Sequence, residues 1–136
     1  MNQKDIAMIT TVINNSDLHF EHRSWESELL FWEDELNTFD HRLEELVERY
    51  TGMELLKKLE HFQNEFNLHR KRINEMREDI EKHEERLAGQ SLSGEGNALD
   101  VPMVKSHMAF REKIETQREM YAGLKKAFFR FLTEYM

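Results

Sequence analysis

The sequence predicts an all-α protein: an antiparallel up-down-up bundle of three long helices, preceded by a short N-terminal helix. Three observations carry this. The chain of 136 residues has one proline and five glycines, too few to punctuate many short elements. Charged residues make up 34% and hydrophobic ones 39%, the mix of long amphipathic helices. Apolar residues recur at alternating spacings of four and three along three separate stretches, and that spacing is a heptad seam.

Residues 1–15 carry Ile6, Met8, Ile9, Val12 and Ile13, a short amphipathic pattern that Asn14-Asn15-Ser16 then interrupts. It is expected to pack as a fourth element or within a dimer. The first long helix is expected over 17–50. Its seam runs Leu18, His22, Trp25, Leu29, Trp32, Leu36, Phe39, Leu43, Leu46, Tyr50, with Ser16 or Asp17 as N-cap. Extending this seam would bury Met53, Lys57, Glu60 and Asn64. The apolar set instead resumes out of phase at Leu55, Leu59, Phe62 and Phe66. The slip falls at Thr51-Gly52, so a turn is expected there, with glycine just past the helix end in a left-handed conformation.

The second helix is expected over 53–88, with a seam continuing through His69, Ile73, Met76, Ile80, His83 and Leu87. Residues 89–101, containing GQSLSGEGNALD, read as a flexible loop. Asp100 suits the cap and Pro102 the first turn of the third helix, expected over 102–136. Its seam is Met103, His107, Phe110, Ile114, Gln117, Tyr121, Leu124, Phe128, Phe131, Tyr135. Phe128, Phe129, Phe131, Leu132 and Tyr135 cannot all face one seam, because successive helical residues turn by about 100°. That surplus is expected to be covered by the N-terminal segment or by another subunit, and a homo-oligomer or protein partner is expected. All of residues 1–136 are expected in one helical domain.

Composition excludes several function classes. The net charge of −8 argues against nucleic-acid binding, which needs a basic footprint. No stretch is apolar over the length of a membrane span. There is no cysteine, hence no disulfide framework and no thiolate metal site. The first residues lack the basic start and apolar run of a signal peptide, so a cytoplasmic location is expected. No phosphate loop, dinucleotide fingerprint, His-Glu-x-x-His or nucleophile constellation is present, and the chain leans towards a non-enzyme. No Glu-x-x-His occurs, so the ligand pattern of di-iron carboxylate bundles is missing. The heptads and a core tryptophan resemble, in a general way, those of spectrin-type three-helix units. That resemblance concerns architecture and implies nothing about activity.

The chemistry-bearing pattern is a layer of histidines. Centring the turns on Gly52-Met53 and Gly94-Glu95 registers the three seams layer by layer. His22, His83 and His107 then share one layer, between Leu18/Leu87/Met103 and Trp25/Ile80/Phe110. Imidazole is a ligand for zinc, copper, nickel and iron, and three from three helices form one open coordination face. Glu26 follows His22 by four and Asp79 precedes His83 by four, so each can ligate or hold the neighbouring ring. His19, one turn before His22, is a further candidate. The alternative is a hydrogen-bonded polar layer without an ion. His69 with Tyr121, and Gln117 one layer away, form a second polar spot, read as a buried histidine satisfied by the tyrosine hydroxyl. Three functions follow from this reading. The first is a non-enzymatic protein acting through protein–protein or self-association. The second is a divalent transition-metal binder for sensing, storage or buffering at His22, His83, His107, Glu26 and Asp79. The third is a metal-dependent enzyme.

Overall fold

Seam leucines, phenylalanines and isoleucines at heptad spacing, separated by Glu, Lys and Arg, favour helix at every stretch, and helix is what forms. The computed structural model describes residues 15–92 and 101–135. It contains α1 (Asn15–Arg49), α2 (Met53–Leu92) and α3 (Val101–Tyr135), with no strand among the described residues. No described helix is long and apolar enough to cross a membrane. The expected short N-terminal helix, the loop over 93–100 and the Asp100 cap lie outside the described residues.

The break between α1 and α2 stands where the phase slips. Its chemistry differs from the expected one. The Tyr50 amide donates to the Leu46 carbonyl at 3.0 Å, the last turn of α1. The Leu56 amide donates to the Gly52 carbonyl at 3.1 Å, so Gly52 opens α2 in the N-cap position. Its φ lies outside the left-handed region. Glycine here is a tolerable N-cap, not a left-handed helix terminator. Two further boundaries move. Ser16 and Asp17 sit inside the first turn of α1, and α2 continues through Gly89 to Leu92.

The chain divides into two compact units. In one, formed by residues 15–27, 76–92 and 101–116, the buried apolar side chains are Leu18, Trp25, Met76, Ile80, Leu87, Val104, Phe110 and Ile114. Here Val104, three residues before His107, takes the buried position that the seam assigns to Met103, since residues three and four apart share a helix face. Met103 packs half-buried against Leu18 and Leu87 together with Met108. In the other unit, residues 28–75 and 117–135, an aromatic cluster dominates. Phe39 and Phe66 have ring centroids 5.8 Å apart, and Phe62 and Phe128 5.3 Å. Phe128 and Phe131 turn inward and Phe129 outward, the split that 100° per residue requires.

Cross-helix ion pairs edge each unit. Arg111 chelates Glu21 in the first, and Lys125 reaches Glu35 at 2.9 Å in the second. Gly123 sits in the interior of α3, and a Cβ added there meets nothing within 4 Å. Glycine in a helix interior costs conformational entropy, so Gly123→Ala is expected to stabilise the protein by about 0.5–1 kcal/mol. Urea denaturation with an unchanged slope checks this.

Candidate functional site: a histidine cavity

The seam places one histidine on each helix within the first unit: His22 on α1, His83 on α2 and His107 on α3. The structure brings all three together. The His22 ring lies 5.1 Å from that of His107 and 5.7 Å from that of His83, centroid to centroid. Trp25 stacks on His107 at 4.9 Å and also packs on Phe110, closing one side with apolar rings. Leu18 and Leu87 close the other. His22 and His107 are almost fully buried, at 1% and 2% exposure, while His83 is half-buried.

Each buried ring is held by a carboxylate from a neighbouring helix. Nδ1 of His22 donates to Glu84 at 2.8 Å, and His19 donates to the other oxygen of Glu84 at 2.9 Å. Nε2 of His107 donates to Glu21 at 3.0 Å, and Glu21 is also clamped by Arg111. Burial lowers the pKa of His22, against the opposing pull of Glu84. Burial likewise drives His107 down to about 4, against Glu21. Burial acts on His83 in the same direction, helped by Arg86 and His22. Burial also pushes Glu21 upward, but its bonds to Arg111 and His107 outweigh that and leave it below the usual range. At neutral pH His22 and His107 are therefore neutral donors to carboxylates, and the carboxylates fix their tautomers.

A neutral imidazole that donates from one nitrogen has a lone pair on the other. In His22 that is Nε2 and in His107 it is Nδ1. Both are buried and have no hydrogen-bond partner among the described residues. Both rings line one small cavity with His83, Leu18, Leu87, Met103 and Arg86. Its volume is about 10 Å³, the room of a single water or ion. Buried polar atoms are nearly always satisfied, so two orphaned acceptors on rings that line one hole call for an occupant.

The same-helix carboxylates expected beside these rings are not their partners. Glu26 is half-buried and makes no hydrogen bond to any of the three imidazoles among the described residues. Asp79 pairs with Lys113 at 3.3 Å, although its charge still acts on His83. Glu21 and Glu84 hold the rings instead, each from a different helix. Their signal was their position next to a seam histidine, where heptad-flanking side chains reach the adjacent helix. Among the described residues, no three His or carboxylate groups converge closely enough to hold a metal ion as they stand.

The second polar spot, in the other unit, is self-contained. Gln117 Nε2 donates to His69 Nδ1 at 2.8 Å. The His69 and Tyr121 rings are neighbours at 5.9 Å, but the Tyr121 hydroxyl donates to Glu35 at 3.0 Å rather than to the imidazole. Glu35 offers a charged acceptor, and charge-assisted bonds are the stronger ones. Burial, then the Glu35 bond, raises the Tyr121 pKa. Nothing here asks for a ligand.

No protein-family model, curated protein or solved structure matches this chain.

Proposed function

We propose that the chain is a cytoplasmic, non-enzymatic bundle of three antiparallel helices that binds a transition-metal ion at the His22/His83/His107 cavity. The observation that carries this is the pair of orphaned lone pairs, His22 Nε2 and His107 Nδ1, on rings whose opposite nitrogens are held by carboxylates. Carboxylate–histidine pairs of this kind orient and strengthen metal ligands. His83, half-buried on the third wall, supplies a further donor by rotating its ring inward. Zinc, copper, nickel and iron all accept imidazole. Asp79 joins the ligand set only by giving up Lys113, and Glu26 only by turning towards His22. The rings are engaged by carboxylates and by one another rather than aimed at a reacting group, which favours sensing, storage or buffering over catalysis.

Binding should stabilise the fold, because an unfolded chain does not preorganise these nitrogens. At a hundredfold excess over Kd the gain is about 2.7 kcal/mol. A melting curve should therefore rise by several degrees with the bound ion and fall back with EDTA. His83→Leu should weaken that response. A wild-type curve unmoved by zinc, copper, nickel or iron would leave a metal-free polar layer.

A second reading, association through protein surfaces, is favoured by exposed aromatics: Phe31 is 58% and Phe129 47% exposed. Large apolar side chains left in water mark contact surfaces when they cluster. A homodimer is the expected state. Sedimentation velocity at micromolar concentration checks it, and a strictly monomeric chain would remove it.

A further inference from the structure

We infer that the ion this cavity selects is monovalent copper, held by His22 Nε2, His107 Nδ1 and the thioether of Met103. The inference rests on the reading that the cavity holds a metal ion, and it specifies which one. The cavity is lined by His22 and His107, each of which has one orphaned ring nitrogen, and by Met103, with no carboxylate in its lining. Thioether and imidazole together are a soft donor set, and soft donors select Cu(I). Met103 is half-buried against Leu18 and Leu87, so its flexible chain is already packed at the cavity.

Charge and size point the same way. A dication such as Zn(II), Ni(II) or Fe(II) asks for four to six donors or anionic neutralisation at the metal. Glu21 and Glu84 bind the far nitrogens of the rings and so cannot ligate directly without releasing them. Arg86 also lines the cavity, and a guanidinium repels a dication twice as strongly as a monocation. A space of about 10 Å³ leaves no room for a retained hydration shell. Cu(I) accepts two or three donors, carries one charge and gives up its solvent readily. The want of three converging His or carboxylate groups is then no obstacle, since the third donor is sulfur.

Access is also provided. His83 and Arg86 line both the inner cavity and an open surface depression bordered by Asp79, Lys82 and Glu85. A half-exposed imidazole at that mouth can take copper from solution and pass it inward to the buried pair.

The test is an anaerobic titration of the untagged full chain with Cu(I) in competition with a chromophoric Cu(I) chelator, alongside Zn(II) and Ni(II) titrations. Expected are one Cu(I) per chain and copper X-ray absorption showing sulfur with nitrogen around the metal. Met103→Leu, a near-isosteric change, should weaken Cu(I) by about tenfold or more. Zn(II) or Ni(II) binding without Cu(I), or Cu(I) bound with nitrogen only and unaffected by Met103→Leu, would overturn the copper assignment while leaving a metal site. Binding of none of the three ions would overturn both. The absorption spectrum is read on the wild-type protein, so it decides even if a variant fails to fold.

Discussion

Replacing Phe128 with alanine is expected to cost about 3–5 kcal/mol, the largest effect of any single truncation in the aromatic unit. Phe128 has no exposed surface. Its ring centroid lies 5.0 Å from Phe39, 5.0 Å from Phe66 and 5.3 Å from Phe62. Three helices therefore meet on this one ring. Deleting it removes the transfer energy of the side chain and leaves a hole that rigid aromatic neighbours fill poorly. Phe129→Ala, one residue on, should cost under about 1 kcal/mol, since half-exposed side chains lose less on truncation. Urea unfolding of the two variants gives the comparison. Equal losses would mean that Phe129 is covered in solution, as association would require.

The second large effect is with pH. In metal-free protein, stability should fall as pH drops from about 6.5 to about 4. The His107 pKa goes from 6.5 when unfolded to about 4 when folded. The unfolded chain thus takes up a proton first, and acid favours unfolding. The contribution is complete above 6.5, is lost progressively towards 4, and amounts to about 3 kcal/mol. The groups facing His107 are Glu21 from α1, His22 from α1 and Arg111 from α3. His22 and His69, both lowered by burial, act in the same direction as pH falls below 6.5. For His22 the facing groups are Glu84, Glu21 and His19. For His69 they are Arg72, Glu65 and the neutral Gln117. Glu21 is held below its usual value, so its own contribution is present at neutral pH and lost as pH falls further into the acid range. Charged His–Glu pairs would give the opposite sign, with stability rising as pH fell to 5. Chemical denaturation with EDTA at pH 7.5, 6, 5 and 4 separates the two.

Much of the helical architecture was legible because heptad spacing is a strong signal, repeated over about nine turns in each helix. The histidine layer followed from the same period. The partners of its rings did not. Sequence spacing shows which carboxylate sits one turn along the same helix, and this pointed to Glu26 and Asp79. It does not show which carboxylate a neighbouring helix presents, and those are Glu84 and Glu21. The seam start also blurred, because Met103 and Val104 stand four and three residues before His107 and either can turn inward. The residue type of Gly52 suggests a left-handed terminator, whereas its hydrogen bond makes it the N-cap of the following helix. The helix past Gly89 was hidden by composition: glycine and serine weaken a helix without ending it.

His22 Nε2 and His107 Nδ1 are buried and unpartnered, and the proposed occupant that joins them is one metal ion. Long-range nitrogen-15 NMR of the histidine rings tests it most directly. Before metal, His22 should appear as the Nδ1–H tautomer and His107 as the Nε2–H tautomer, opposite to each other, at neutral pH. Adding one equivalent of Cu(I) anaerobically, or of Zn(II), should shift the His22 Nε2 and His107 Nδ1 resonances and leave His41 and His61 where they were. Two rings with the same tautomer, or nitrogens unmoved by either ion, would contradict the account.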